Sequence, residues 1–359
     1  MNNKIIMILL LTMLNYGLSK KINSKNIHDT NIIKNDKSMW KKDLNVSINN
    51  KIINKRDILV QIQKIKLFSP KLYKKNKLLY QSISNWLKLS GNIRQLKSYK
   101  IYLYKLKDLN KHGNIKITSY YTPIINARKV PEKEFKYPIY TLPNSTEKHK
   151  LLPSRRNIYN GVLKKKYIIA YSNSLIDNFI MDIQGSGIIN YGSHKPLVLL
   201  KYLGENGWPY KSIGKILIKK GDIRKENMSI KAIKNWGKQH TLSEVKNLLE
   251  KNTSFVFFKS TKYKPVCGAS SIPLIAKTSI ATDTRIIKPG NILLAKIPIL
   301  NKTGQFTNTY ETRLLIALDV GGAIKGQKLD LYQGIGEQAG ITAGFYNHYG
   351  YIWVLKKDI

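Results

Sequence analysis

The chain has 359 residues, 42% of them hydrophobic, with 23 Gly and 12 Pro, which excludes a disordered or collagen-like polypeptide and leaves room for about two domains. One cysteine, Cys267, excludes an internal disulfide and a cysteine-based zinc cluster, and the six histidines form no His-Glu-x-x-His pair, so neither metal nor cofactor is expected. The net charge of +41 points to an anionic partner, yet residues 264–359 hold only 11 Lys and Arg against 6 Asp and Glu.

Elsewhere the excess is scattered Lys among Asn and Ile, a tilt of composition rather than a built surface. Without a finger, an RNA-binding aromatic pair or a coiled basic region, no specific nucleic-acid partner is expected.

Residues 5–14 form a short apolar run after Lys4, the pattern of an export signal over residues 1–19 and too short to span a bilayer comfortably. Residues 20–56 are polar and basic and read as a loose lead-in. Ile58, Leu59, Ile62 and Ile65 recur at helical spacing up to Ser69-Pro70, and Leu79, Ile83, Trp86 and Leu87 predict a second helix. Residues 99–121 alternate as strands, with Ile101, Leu103, Ile115 and Ile117 inward. The stretch 123–156 reads as loops around one strand at 137–142, and its sequon Asn144-Ser145-Thr146 is ordinary in an Asn-rich chain.

Strands are expected at 167–169, 179–183 and 188–189, with Gly185-Ser186-Gly187 as a turn between the last two. Helices follow at 196–203 and at 210–220, the latter stopped by Gly221. Ser229 caps the next helix, and Thr241 with Glu244 forms a capping box for another. A second β-rich block runs through 254–258, 272–276, 291–300, 313–320 and 351–355.

The densest signal lies at Leu318-Asp319-Val320-Gly321-Gly322 and Asp330-Leu331-Tyr332-Gln333-Gly334. Lys325 is followed by Gly326, not Ser or Thr, so this is no phosphate-binding Walker loop. The glycines read as tight turns between barrel strands. In a chain so poor in acids, Asp319 and Asp330 are the candidates for acid–base work. A carboxyl in apolar surroundings keeps its proton to higher pH, protonates a departing oxygen, and later takes a proton back. Lys325 is expected to point away from such a carboxyl.

An ordered series of motifs then carries a resemblance. It comprises Tyr120-Tyr121-Thr122-Pro123, Ala127-Arg128, Ser154-Arg155, Gln184-Gly185-Ser186-Gly187, Tyr202-x-Gly204-x-Asn206-Gly207, Ala281-x-Asp283 and the block from Arg313 to Lys356. Over residues 119–356 the chain closely resembles the membrane-bound lytic murein transglycosylase A (MltA) family. That resemblance implies a mainly β fold: a double-psi β-barrel catalytic domain (20–124 plus 255–359), an inserted smaller β-barrel domain (125–254), a groove between them and some peripheral helices.

The activity it implies is cleavage of the β-1,4 bond between N-acetylmuramic acid and N-acetylglucosamine in peptidoglycan. The C6 hydroxyl attacks in place of water and leaves 1,6-anhydromuramic ends, with exo-action expected. Asp330, in the family's Asp-x-Tyr-x-Gly stretch, is implied as the single acid and then base, with Asp319 as runner-up or hydrogen-bonding partner. Tyr121, Thr122, Gln184, Gly185, Trp208 and Asp283 are the expected substrate contacts. Glycan strands are the expected partner of a periplasmic monomer associated with the outer membrane. Family members carry a lipid on an amino-terminal Cys, and lipid attachment is not expected where Cys267 is the only cysteine. Two rival readings are a non-catalytic wall-binding protein on the same scaffold and a true glycan hydrolase.

Overall fold

A computed structural model describes residues 39–44, 46, 48, 51–143 and 151–357. The expected export segment, the lead-in through residue 38 and the sequon at 144–146 lie outside the described residues. In chain order the first elements are β1 (Trp40–Asp43), α1 (Lys55–Phe68), α2 (Pro70–Lys75), α3 (Lys77–Leu89), β2 (Ile101–Leu106) and β3 (Ile115–Thr122). Next come β4 (Ile124–Arg128), β5 (Tyr137–Tyr140), α4 (Arg155–Tyr159), β6 (Ile168–Ser172), α5 (Leu175–Gln184), β7 (Ser186–Asn190) and β8 (Val198–Glu205). They are followed by α6 (Ile213–Lys220), α7 (Ile230–Gln239), α8 (Leu242–Leu249) and β9 (Val256–Lys262). The carboxyl-terminal part holds β10 (Ser279–Thr282), β11 (Ile292–Leu300), β12 (Phe306–Asp319), β13 (Lys328–Ile335), α9 (Glu337–Phe345) and β14 (Asn347–Lys357). No helix among the described residues is long and apolar enough to cross a membrane.

The chain divides into two compact units. The barrel unit comprises the described residues of Lys21–Ser119, Pro265–Gly334 and Phe345–Ile359. Its strands run β1-β2-β14-β11-β12-β10-β13-β3, and β14 also pairs with β3. That extra pairing closes six strands into a barrel, with β1 and β2 as an added flap. The ladder is mixed: β10 runs parallel to β12 and antiparallel to β13. Inside, Ile115, Ile117, Ile280, Leu293, Leu315, Leu329, Leu331, Ile352 and Val354 form one buried cluster. Alternate residues of the same strands therefore face outward. The expected mainly β fold with a closed barrel and peripheral helices is what the chain adopts.

The second unit comprises the described residues of Tyr120–Lys264 and Ile335–Gly344. It has a six-stranded sheet in the order β5-β6-β4-β7-β8-β9. A helical core of Phe179, Ile180, Ile213, Leu217, Ile233, Trp236, Val245 and Leu249 packs within it.

Local signals are realised where they are short-range. Ser229 Oγ accepts from the Ala232 N–H, Gly221 ends α6 in the left-handed conformation, and both halves of the Thr241–Glu244 capping box form.

Five expectations are corrected. Residues 179–183, read as a strand, lie in helix α5, which Ser174 caps at its start and Gly185 ends at φ 72°. Leu175, Ile176, Phe179, Ile180 and Ile183 follow helical spacing, which the β-branched composition masked. Residues 196–203, read as a helix, give β8, held on both edges by β7 and β9. Gly204 there marks a register shift in the ladder, not a helix stop. Residues 272–276 form no strand, and Pro273 makes an isolated bridge with Cys267. The stretch from residue 123, read as loop until 137, holds β4, and the Gly-rich segment read as turns contains strand β13 and helix α9.

Candidate active site

The position of Asp330 follows from the pleat. Leu329 and Leu331 are buried in the barrel core, so the residue between them faces outward. On the neighbouring strand β10, Ala281 pairs with Asp330 on one side and with Asp319 on the other. A one-residue shift in the β10–β12 register brings Asp319, rather than Leu318, opposite Ala281. Two strand spacings, about 10 Å in all, therefore separate the two aspartate backbones.

Three features surround the Asp330 carboxyl. Thr118, from β3, donates its hydroxyl to Asp330 Oδ1 at 2.8 Å. Lys328 stands two residues earlier on the same strand face, is buried, and donates Nζ to the Ala323 carbonyl at 3.3 Å. Lys116 holds the matching place two residues before Thr118 on β3. Burial lifts the Asp330 carboxyl to about 6, against the pull of Lys328 and the Thr118 hydroxyl and with a further push from Asp319. Burial also pushes the Lys116 and Lys328 ammonium groups below their ordinary value.

Asp319 is held differently. Its Oδ1 accepts from the backbone N–H groups of Ala269 (2.8 Å) and Val320 (2.9 Å). The loop that supplies Ala269 approaches so closely that a Cβ on Gly268 would lie 2.6 Å from the Leu318 carbonyl oxygen. Asp283 is committed to a clamp. Its two oxygens accept from Arg285 N, Nε and Nη2 and from the Gly326 N–H, and Arg285 first among these holds the carboxyl down to about 2. That ties it to Gly326 in the loop between β12 and β13. Lys325 is exposed, and the lysine acting on Asp330 is Lys328.

The remaining expected contacts lie in the second unit. Gln184 ends α5, and its Oε1 accepts from the Tyr121 N–H at 3.0 Å, which fixes the orientation of the amide. Gly185 needs its left-handed backbone and not space, since a Cβ there would meet nothing. The Tyr121 ring is buried in the helical core against Gly340, and burial pushes its hydroxyl well above the ordinary range. Thr122 is buried, and its carbonyl accepts from the Gly336 N–H. Trp208 is half-buried and donates Nε1 to the Leu152 carbonyl at 2.8 Å, which fixes the edge of the ring and leaves its faces to pack or stack.

Other motif residues hold this unit together. Arg155, 1% exposed, donates to the carbonyls of Asn252 and Ser254, to the Tyr159 hydroxyl and to Asp182 Oδ2 at 2.9 Å. Burial pushes the Asp182 carboxyl up while Arg155 opposes it. Asn206 donates to the carbonyls of Pro153 and Thr253 and accepts from the Phe255 N–H. Sequence reasoning missed Thr118, Lys116 and Lys328. Alternation along β13 would have flagged Lys328 once the strand was recognised. Among the described residues, no group of three or more His, Cys, Asp and Glu side chains could hold a metal ion.

Comparison with known proteins agrees with this architecture. The family described as "MltA specific insert domain" matches residues 116–259, and the "3D domain" family matches residues 278–356. The chain is 56% identical over 311 residues to the membrane-bound lytic murein transglycosylase A homolog of Buchnera aphidicola, covering 87% of this chain and 85% of that one. It is 50% identical over 304 residues to the membrane-bound lytic murein transglycosylase A of Escherichia coli, covering 85% and 82%. The crystal structure of E. coli MltA with bound chitohexaose superposes with a TM-score of 0.86 at 46% identity, covering 89% of this chain and 95% of that one.

Proposed function

The chain belongs to the membrane-bound lytic murein transglycosylase A family, and from that premise we propose that Asp330 works as its single acid and base on the glycan strands of peptidoglycan. The activity is that of a lytic transglycosylase, exercised in the periplasm at the outer membrane. Catalysis belongs to the barrel unit, and Gln184, Gly185 and Trp208 of the second unit are the proposed sugar contacts. Tyr121 and Thr122 serve there by holding Gln184 and the neighbouring backbone in place.

One observation carries the mechanism: an outward-facing carboxyl that burial lifts to about 6 while one of its oxygens is held by Thr118. In its acid form Asp330 gives its carboxylic proton to the glycosidic oxygen. The bond from C1 of the muramyl residue to that oxygen breaks, and its electron pair leaves with the N-acetylglucosamine. The carboxylate then takes the proton of the C6 hydroxyl as that oxygen closes on C1. The proton lent in the first half is recovered in the second, and no water is consumed. The attacking oxygen is tethered to its own target, so proximity replaces the water and second carboxylate that an inverting glycosidase needs. Asp319, its carboxylate fixed by two backbone N–H groups, keeps a negative charge near Asp330 that favours the proton-bearing form.

Mass spectrometry of a peptidoglycan digest tests this. The expected products are about 18 Da lighter than hydrolysed fragments, because no water is added, and they vanish with Asp330→Asn. Fragments with ordinary reducing ends would make the protein a hydrolase, and retained binding without cleavage would make it a wall-binding protein.

A further inference from the structure

We propose that Lys328 is a positioning residue for the reaction, its ammonium group setting the pH range in which Asp330 can both give and recover its proton. The inference rests on the reading of Asp330 as the acid. Lys328 and Asp330 are two residues apart on β13, so both project from the same outer face with their Cα atoms about 6.6 Å apart. Leu329 between them is anchored in the barrel core, which fixes that orientation. Lys328 is 9% exposed, an unusual place for a lysine, and its Nζ is tied to the Ala323 carbonyl in the loop before β13. The charge is thus held near the carboxyl instead of sampling solvent.

The charged groups facing Asp330 come from three strands: Lys328 on its own strand β13, Asp319 on β12, and Lys116 on β3 facing Lys328. Asp319 and burial favour the protonated carboxyl, and Lys328 favours the carboxylate. A residue that is acid and base in one turnover needs both forms within reach at the same pH. Burial alone would hold the proton too firmly, leaving a weak acid for the first step. The fixed cation restores the balance, which a mobile surface lysine could not do as well against water.

The test is the pH dependence of anhydro-product formation in the full-length protein, with Lys328→Met, Lys328→Arg and Asp330→Asn compared. In the unaltered protein kcat/KM falls on the alkaline side as Asp330 loses its proton. Lys328→Met should move that fall upward by about half a pH unit or more, roughly threefold in proton affinity, and Lys328→Arg should restore it. A structural role alone would lower the rate without moving the fall. Should Lys328→Met not fold, carbon-13 NMR titration of the Asp330 carboxyl in Lys328→Gln reads the same displacement. An unmoved alkaline limb, or an unmoved carboxyl titration, overturns the proposal for Lys328. An Asp330→Asn protein that still makes anhydro ends with the same limb overturns the reading of Asp330 instead.

Discussion

Replacing Asp330 by Asn should make the protein more stable at neutral pH while abolishing its activity. The Asp330 carboxyl sits at about 6 in the folded state against an ordinary 3.8, with burial as the leading cause. The sign follows from linkage. Between about pH 4 and 6 the folded state holds a proton that the unfolded state has released, so stability falls as pH rises through that window and then levels off. The full difference corresponds to at most about 3 kcal/mol, and the partial exposure of the side chain reduces the expected value to about 1–2 kcal/mol. Asparagine keeps an oxygen for the Thr118 hydroxyl, so the comparison isolates the charge. Urea unfolding of both proteins at pH 4.5 and 7.5 reads the effect. Asp330→Asn should gain at pH 7.5 and gain little at pH 4.5. Asp182 contributes a slope of the same sign in both proteins and cancels in the difference. Parallel stability profiles for the two proteins would show that the folded state does not disfavour this carboxylate, and the acid role would lose its physical basis.

Two further outcomes follow from the packing. Arg155→Met leaves Asp182 buried without its cation and several backbone carbonyls without a donor, and should cost about 3–5 kcal/mol in urea or thermal unfolding; a loss under 1 kcal/mol would contradict a fully desolvated pair. Gly268→Ala forces a methyl group against the Leu318 carbonyl and the Asp319 side chain, and should cost about 1–3 kcal/mol and lower the rate of anhydro-product formation; unchanged stability and rate would mean the loop is free to yield.

What the sequence made legible was chiefly what is local. The Ser229 cap, the Thr241–Glu244 box and Gly221 each involve residues within four positions of one another, and each is in place. The paired helices before residue 90 and the strands β2, β3, β11 and β14 were visible through their spacing. One error is local, since α5 has its own Ser174 cap and Gly185 stop and was hidden by β-branched composition; others fall where distant partners decide the structure. β8 is a strand because β7 and β9 hold both of its edges, and nothing in its own residues fixes that. β13 hid behind glycines that looked like turns, although its ladder comes from β10 and β3, far away in the chain. Asp330 stood out through the resemblance and through the scarcity of acids. Its partners did not. Thr118 is 212 positions away, and Lys328 is one cation among 62 Lys and Arg.

The chemistry assigned to Asp330 depends on a narrow balance, and the barrel explains how it is kept. Full burial of a carboxyl raises its proton affinity by as much as 3–5 pH units, enough to make it a poor acid at neutral pH. Here the value stops at about 6, because Thr118 and Lys328 return part of what burial takes from the carboxylate. Thr118 comes from β3, Lys328 from β13 and Asp319 from β12, so the strand order β12-β10-β13-β3 is what brings all three to one side chain. Register matters as much as strand order. A slip of one residue between β13 and β10 would turn Asp330 into the core and put Leu329 and Leu331 outside. Burial of those two leucines opposes that slip by roughly 2 kcal/mol each. The leucines on either side of Asp330 point away from its carboxyl, into the core, and their burial holds the register that keeps the carboxyl facing Thr118 on the outer side of the barrel.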